Sequence, residues 1–461
     1  MKKRLLALLL AAIMVFAVFA ACGNGEEPEV VDPTPQPTPQ PTPPEPPDEE
    51  DPEEVVLRWA MWDYDNILYY RGLADGFTEL NPHVTFEFID LGAAEFEQIA
   101  QTHLLGGTSY DIINVRDIPS YANLVDNGLL LPLNDKLAAN NVNTSAFAGN
   151  AANLLTIEET GNLYALPLRT DFWVVFYNKD IFDAAGVDYP TNNMTLTEWE
   201  ALIREVGEAS EDGIYGNVFH TWASTTSLFG IVGGDRTVVD GHYDWMYPSY
   251  EMVLGLENDG FVPRRTEMQA GSIHHNYYWF NGYNAMVNMG TWHLNAILSA
   301  MRGEGDWADT ETTNWGIVNY PVPAGVPHGY TIGQIKSLGI PMTSEHVDEA
   351  MAFLAFATAS ERGSELVADA GSLPAFMTTG AMDVILALPG MAQDANTIAA
   401  LNPVNIVLEM PLHSLSGDIN AIRNEVHDDI MSRAVTIREG LNRMNEEIGA
   451  LLEDAGYEVR Q

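Results

Sequence analysis

One stretch, Tyr164–Gly186 (YALPLRTDFWVVFYNKDIFDAAG), constrains the fold of this chain more than any other. Its centre is an unbroken apolar run, Phe172 to Tyr177, bounded by charge on both sides. Val174-Val175-Phe176 is β-branched and aromatic, the composition of a strand buried on both faces of an α/β sheet. Leu166-Pro167 leads into the run and Asn178-Lys179-Asp180 leads out of it. Asn178 or Asp180 can cap a short helix that stops at Gly186, because a glycine readily takes the left-handed conformation that ends a helix.

The chain before this stretch alternates in type. Val55–Trp62 reads as a strand, Leu68–Leu80 as a helix by its apolar spacing, and His83–Ile89 as a strand. Asn81-Pro82 ends the first helix, since the residue before proline is pushed out of the helical region. A helix over Glu95–Leu105 stops at Gly106-Gly107. Asp111–Val115 is a short strand, and Pro119–Asn127 is a helix ending at Gly128. This order predicts a doubly wound α/β body with a largely parallel sheet.

These residues carry a resemblance. Leu-Pro, a polar run, a buried strand and then Tyr177-Asn178-Lys179-Asp180 with Ala185-Gly186 is similar to the crossing between lobes in family 1 extracellular solute-binding proteins. Those are the sugar-type receptors of ABC importers. Asn81-Pro82-x-Val84, Tyr110-Asp111-Ile112-Ile113 and Asn127–Leu133 (NGLLLPL) fit the family's opening at the right spacings. Thr197-x-x-Glu200, read as a capping box, and Phe280–Trp292 (FNGYNAMVNMGTW) continue the match, as does Gly371–Ala375 (GSLPA). The resemblance covers Val55 to the C-terminus. It implies two α/β lobes joined by at least two strands and closing on a ligand by hinge motion. Lobe one would comprise 55–168 and 329–377, and lobe two 169–328 and 378–461.

In sheets of this kind ligands sit outside the carboxyl ends of the strands. That rule selects Trp62 and Asp63 after the first strand, and Arg116 and Asp117 after the third. Arg169, Thr170 and Asp171 lie at the crossing, where they either hydrogen-bond the ligand or form an interlobe ion pair. Trp222 and Trp292 follow strands of lobe two and could stack on a sugar face. Trp199, on a helix face, reads as core, and His220 as structural. Asp63 and Asp65 lack the remaining oxygens of a calcium loop. His274 and His275, read as neighbours on a strand, could not both face one metal, so no metal site is expected. Ile419–Leu452 is amphipathic and reads as helices packing on lobe two rather than as a coiled coil.

The amino terminus reads as an export signal. Lys2-Lys3-Arg4 precedes 17 apolar residues, Leu5 to Ala21, and Ala20-Ala21-Cys22 resembles a lipobox whose cysteine becomes lipidated. Ordinary signal cleavage and an uncleaved anchor are the alternatives. Gly23–Glu54 is Pro-rich and carries eleven carboxylates, so it should form an extended tether rather than a core. At ~3.1 Å per residue it could reach roughly 100 Å. The whole chain has 21 basic and 65 acidic residues, a formal charge of −44, which argues against nucleic acid or anionic lipid as a ligand. Its single cysteine excludes an internal disulfide.

Together these readings point to an extracellular, lipid-anchored, monomeric receptor without cofactor. It would bind a neutral sugar or oligosaccharide between two lobes and hand it to a permease. Carboxylates such as Asp63 and Asp171 suit hydroxyl donors. An extracellular carbohydrate-cleaving enzyme, which also uses aromatic platforms and carboxylates, is one alternative. A polyamine or other cation receptor on the same fold is another, since aromatics also hold cations.

Overall fold

The computed structural model describes residues 53–158 and 160–460. The signal segment, Cys22 and nearly all of the Pro-rich tether lie outside the described residues. Among the described residues nine strands form the framework: β1 (Val55–Met61), β2 (Val84–Asp90), β3 (Ile112–Val115), β4 (Ala165–Asn178), β5 (Tyr215–Val218), β6 (Asn284–Gly290), β7 (Trp315–Asn319), β8 (Tyr330–Gly339) and β9 (Asn405–Leu408). They are ordered β2-β1-β3-β8-β4-β6-β5, with β7 also on β4 and β9 also on β8.

The apolar stretch of Tyr164–Gly186 is the long strand β4, whose 14 residues are buried except at Arg169. Its first half pairs with β8 from Ala165 to Phe172, and its second half pairs with β6 and β7 from Trp173 to Asn178. One strand therefore runs through both halves of the molecule, and β8 returns antiparallel beside it. The helix that follows, Lys179–Ala185, is capped by Asn178, whose side chain accepts from the Asp180 amide, and ends at left-handed Gly186.

Two hydrophobic cores form on the two halves of β4. One contains Leu57, Trp59, Ile113, Leu166 and Leu168 with Ile335, Leu338 and Phe353. The other contains Phe172 to Tyr177 with Trp199, Met289, Ile317, Ile332, Val426 and Ile448. The division falls between Leu168 and Phe172 on β4 and between Ile332 and Ile335 on β8. The two lobes are thus joined by strands rather than by a loose linker.

The sheet of lobe one is parallel across β2, β1 and β3, and antiparallel only where β8 joins it. In lobe two β5 and β6 are parallel, while β6 and β7 run antiparallel to β4.

One local expectation is corrected. The capping box of the helix Leu196–Ala209 is Thr195 with Glu198, not Thr197 with Glu200. Both pairs satisfy the spacing in TLTEWE. Glu200 is instead engaged by Arg204 at 3.0 Å along the helix. Trp199 is fully buried, as its place on the apolar face requires.

The C-terminal amphipathic stretch forms two helices, Ser416–Met431 and Ile437–Asp454. Their apolar stripes, Ile419, Val426 and Ile430 on the first and Leu441, Met444 and Ile448 on the second, join the core of lobe two. The opposite face of Ser416–Met431 is polar and lines the cleft through Asn420, Asn424 and Asp428.

Candidate cleft between the lobes

A cleft of about 960 Å³ lies over the crossing strands. Its walls come from the carboxyl ends of β1, β3, β5, β6 and β9, and its floor from β4 and β8. Eight of the side chains chosen from the sequence line it: Trp62, Asp63, Arg116, Asp117, Arg169, Asp171, Trp222 and Trp292. Thr170, also considered at the crossing, does not: strand alternation turns it to the other face of β4, where it is buried.

On the wall of lobe one, each of these groups already has local partners. The Trp62 ring packs against both the Arg116 guanidinium, 4.6 Å from its centroid, and Phe96 at 5.0 Å, which also touch each other at 5.7 Å, and only 9% of Trp62 is exposed. Arg116 also pairs with Glu97 at 3.0 Å and donates to the Ala93 carbonyl at 2.8 Å. Asp117 caps the helix Ile118–Asp126, accepting from the Ser120 amide at 2.8 Å and its hydroxyl at 2.6 Å. Asp63 has a left-handed backbone, φ 55°, and its side chain accepts from Asn66 at 2.6 Å. A non-glycine residue in that region is uncommon and favours Asp or Asn.

The floor follows from strand periodicity. Arg169, Asp171 and Trp173 alternate along β4 and share one face. Arg169 and Asp171 form an ion pair at 2.9 Å with side chains 11% and 2% exposed. The pair lies within one strand, so the alternative of an ion pair between lobes gives way to one fixed in the floor. Across the ladder Lys336 faces Arg169 and Gln334 faces Asp171. Lys336 donates to Gln334 at 2.7 Å. Burial holds the Lys336 ammonium below the usual lysine range, with Arg169 adding to the effect and Asp171 opposing it.

The wall of lobe two is aromatic and less self-satisfied. Trp222 is 43% exposed and meets Trp292 at 6.1 Å, which meets the buried Trp173 edge-on at 5.5 Å. Trp292 opens the helix Trp292–Met301, and its ring folds back over Gly290. A Cβ on Gly290 would lie 2.0 Å from that ring, so only glycine fits there. The Trp173 indole N–H donates to Glu409 at 2.6 Å. Burial raises the Glu409 carboxyl, opposed by that bond and by Gln334, Arg423 and Lys336.

The helix Ser416–Met431 supplies residues that the sequence reading missed. Asn420, Arg423, Asn424, His427 and Asp428 line the cleft. Their spacing of three, four, seven and eight is a polar helical stripe opposite the apolar one, and that periodicity is the signal that could have found them. Arg423 is buried. It donates to Asn420 at 2.7 Å, while its Nε and Nη1 have no protein partner. Burial pulls it below the usual arginine range, against the pull of Glu409. Arg265 completes this wall and pairs with Asp428. Trp173, Gln334 and Lys336 were equally legible as period-two neighbours of Asp171 and of one another.

The cleft is charge-balanced. Arg116, Arg169, Arg265, Lys336 and Arg423 face Asp63, Asp117, Asp171, Glu409 and Asp428, in a chain with 21 basic and 65 acidic residues overall. Among the described residues no helix is long and apolar enough to cross a membrane.

Residues 65–362 match the family model described as bacterial extracellular solute-binding protein. A Rhizobium etli protein described as a sugar transporter, solved in an open conformation, is 36% identical over 86% of this chain and 99% of that one, with a TM-score of 0.78. A lactose-binding protein from Rhizobium radiobacter is 30% identical over 156 residues, 32% of this chain and 35% of that protein, so the aligned stretch spans about a third of the relative's length. A Listeria monocytogenes ABC substrate-binding protein in complex with cycloalternan shares the fold at 16% identity, with a TM-score of 0.71 over 88% of this chain and all of that one.

Proposed function

The chain belongs to the bacterial extracellular solute-binding proteins, the sugar-binding receptor family of ABC importers, and from that premise we propose that it captures a neutral mono- or oligosaccharide in the interlobe cleft. The observation that carries this reading is the balance of the cleft. Aromatic faces and paired, hydrogen-bonding charges line it without an excess of either sign. Sugar hydroxyls both donate and accept, so they match a surface of paired carboxylates and guanidinium groups. A polyamine would call for surplus carboxylates. The similarity to proteins described as a sugar transporter and as lactose-binding supports the same class.

In this reading Trp222 and Trp292 stack on the sugar, and Arg423, Asn420 and Asn424 hydrogen-bond it from lobe two. Asp63, Arg116 and Asp117 meet it from lobe one, with Trp62 behind them. Arg169 and Asp171 set the floor. Lobe one comprises 55–168 and most of 335–377, and lobe two 169–334 and 378–461, the boundary on β8 lying a few residues later than the sequence suggested because Ile332 packs into the core of lobe two. A ligand touching both lobes stabilises the closed form by its additional contacts there. The closed form is then what a permease recognises. The protein acts outside the cell as a monomer, held by a lipid on Cys22 through the Pro-rich tether, and changes no bond in its ligand.

A thermal-shift screen across neutral sugars, oligosaccharides and polyamines, with chromatography of the sugars afterwards, tests this. A melting shift with one class of sugar and unaltered sugar is expected. A shift confined to polyamines, or the appearance of cleavage products, would overturn it.

A further inference from the structure

A cluster of imidazoles stands where lobe two meets the cleft. His220 follows β5, His274 precedes the short helix His275–Phe280, and His275 opens it. The adjacent pair therefore lies at a helix start and not on a strand, which removes the geometric objection raised by the sequence alone. One ligand atom from each of the three histidines lies within 4.8 Å of the others. The ring centroids of His274 and His275 are 4.0 Å apart, and that of His220 lies 4.6 and 4.9 Å from theirs.

From this geometry we propose that His220, His274 and His275 form a binding site for a divalent transition cation of the zinc, nickel or copper class, set in the rim of the cleft. The donor set selects that class. Three imidazoles suit zinc, copper and nickel, whereas magnesium and calcium require oxygen ligands. Three nitrogens also leave a fourth tetrahedral position for water or for a group entering the cleft, which His274 lines.

An independent feature supports the assignment. Nδ1 of His220 and Nδ1 of His275 are buried without a hydrogen-bond partner, a costly state that a cation or water would relieve. His274 accepts weakly from the Asn276 amide through Nδ1 at 3.3 Å, a bond compatible with coordination through Nε2. The Arg265 guanidinium acts on His220 and opposes a cation, but its pairing with Asp428 offsets that charge.

The test is zinc and nickel titration of metal-stripped protein, without an affinity tag and without sugar, so that it is independent of the sugar reading. Excess magnesium in the buffer occupies the many surface carboxylates. One zinc per chain is expected, with His274→Ala weakening it at least about tenfold and His242→Ala leaving it unchanged. Because His274 is exposed, its variant should fold, and an unchanged melting temperature without metal checks this. No saturable zinc uptake, or equal uptake by wild type and His274→Ala, would overturn the assignment.

Discussion

The two walls of the cleft are built on different principles. On the wall of lobe one the candidate groups are already occupied: Trp62 packs in a cluster with Arg116 and Phe96, Arg116 is paired with Glu97, and Asp117 caps a helix. On the wall of lobe two Trp222 is substantially exposed and Arg423 is buried with two nitrogens unpartnered. The lesson is that a residue can line a cleft without having much left to offer a ligand. Lobe one provides a preset surface. Lobe two holds the unspent hydrogen-bonding capacity, and with it the buried polar groups that weigh on its stability.

The largest test of that asymmetry is acid. His220 and His293, both in lobe two, are held neutral with pKa values of about 3, mainly by burial. Unfolded histidine titrates near 6.5. Between those values the unfolded chain binds more protons than the folded one, so stability falls as pH drops from about 6.5 toward 3. A tenfold difference in proton affinity between the folded and unfolded chain is worth about 1.4 kcal/mol, so the loss should reach several kcal/mol. The histidines of lobe one, His83, His103 and His346, are only partly buried. Hydrogen exchange at pH 4.5 and 7, corrected for intrinsic rates, should show lobe two opening first. Uniform loss of protection in both lobes would erase the contrast.

Gly290→Ala comes next. The added methyl would collide with the Trp292 ring, so thermal melting should register a loss of about 1–3 kcal/mol, with weaker sugar binding as Trp292 is displaced. An unchanged melt would mean that Trp292 does not lie over Gly290.

Arg423→Met and Arg116→Met compare the two walls directly. Removing Arg423, two of whose nitrogens are unpartnered, should weaken sugar binding about 10- to 100-fold, the range for a hydrogen bond to a charged group. Its folding stability should hold or rise, because a buried charge is lost. Arg116→Met, which breaks a more exposed pair, should change affinity less than about fivefold. Calorimetry giving the reverse order would assign the binding capacity to lobe one. Trp222→Ala should fall between the two arginine variants, a loss of about 3- to 10-fold in affinity from stacking alone, without a shift in melting temperature.

The crossing was the most legible part of the sequence, because Val174-Val175-Phe176 between Leu166-Pro167 and Asn178 admits little but a doubly buried strand. The strand-end rule then placed Trp62, Asp63, Arg116 and Asp117 beside the cleft, since it depends only on local order. The capping box slipped by two residues because TLTEWE satisfies the motif twice, and only the Arg204–Glu200 pair decides between them. The polar stripe from Asn420 to Asp428 went unread because the helix carrying it returns to the cleft from roughly 250 residues beyond β4, and long-range return is not written in local pattern. The position of His274 and His275 was misread for a related reason. Whether His274 and His275 lie on a strand or at a helix start depends on a boundary that composition leaves open.

The central claim is that two lobes joined by β4 and β8 close over a sugar. Small-angle scattering of the protein with and without the sugar found in the thermal screen measures this directly. The account predicts a smaller radius of gyration in the sugar-bound sample at unchanged molecular mass. An identical scattering profile at saturating sugar would contradict it.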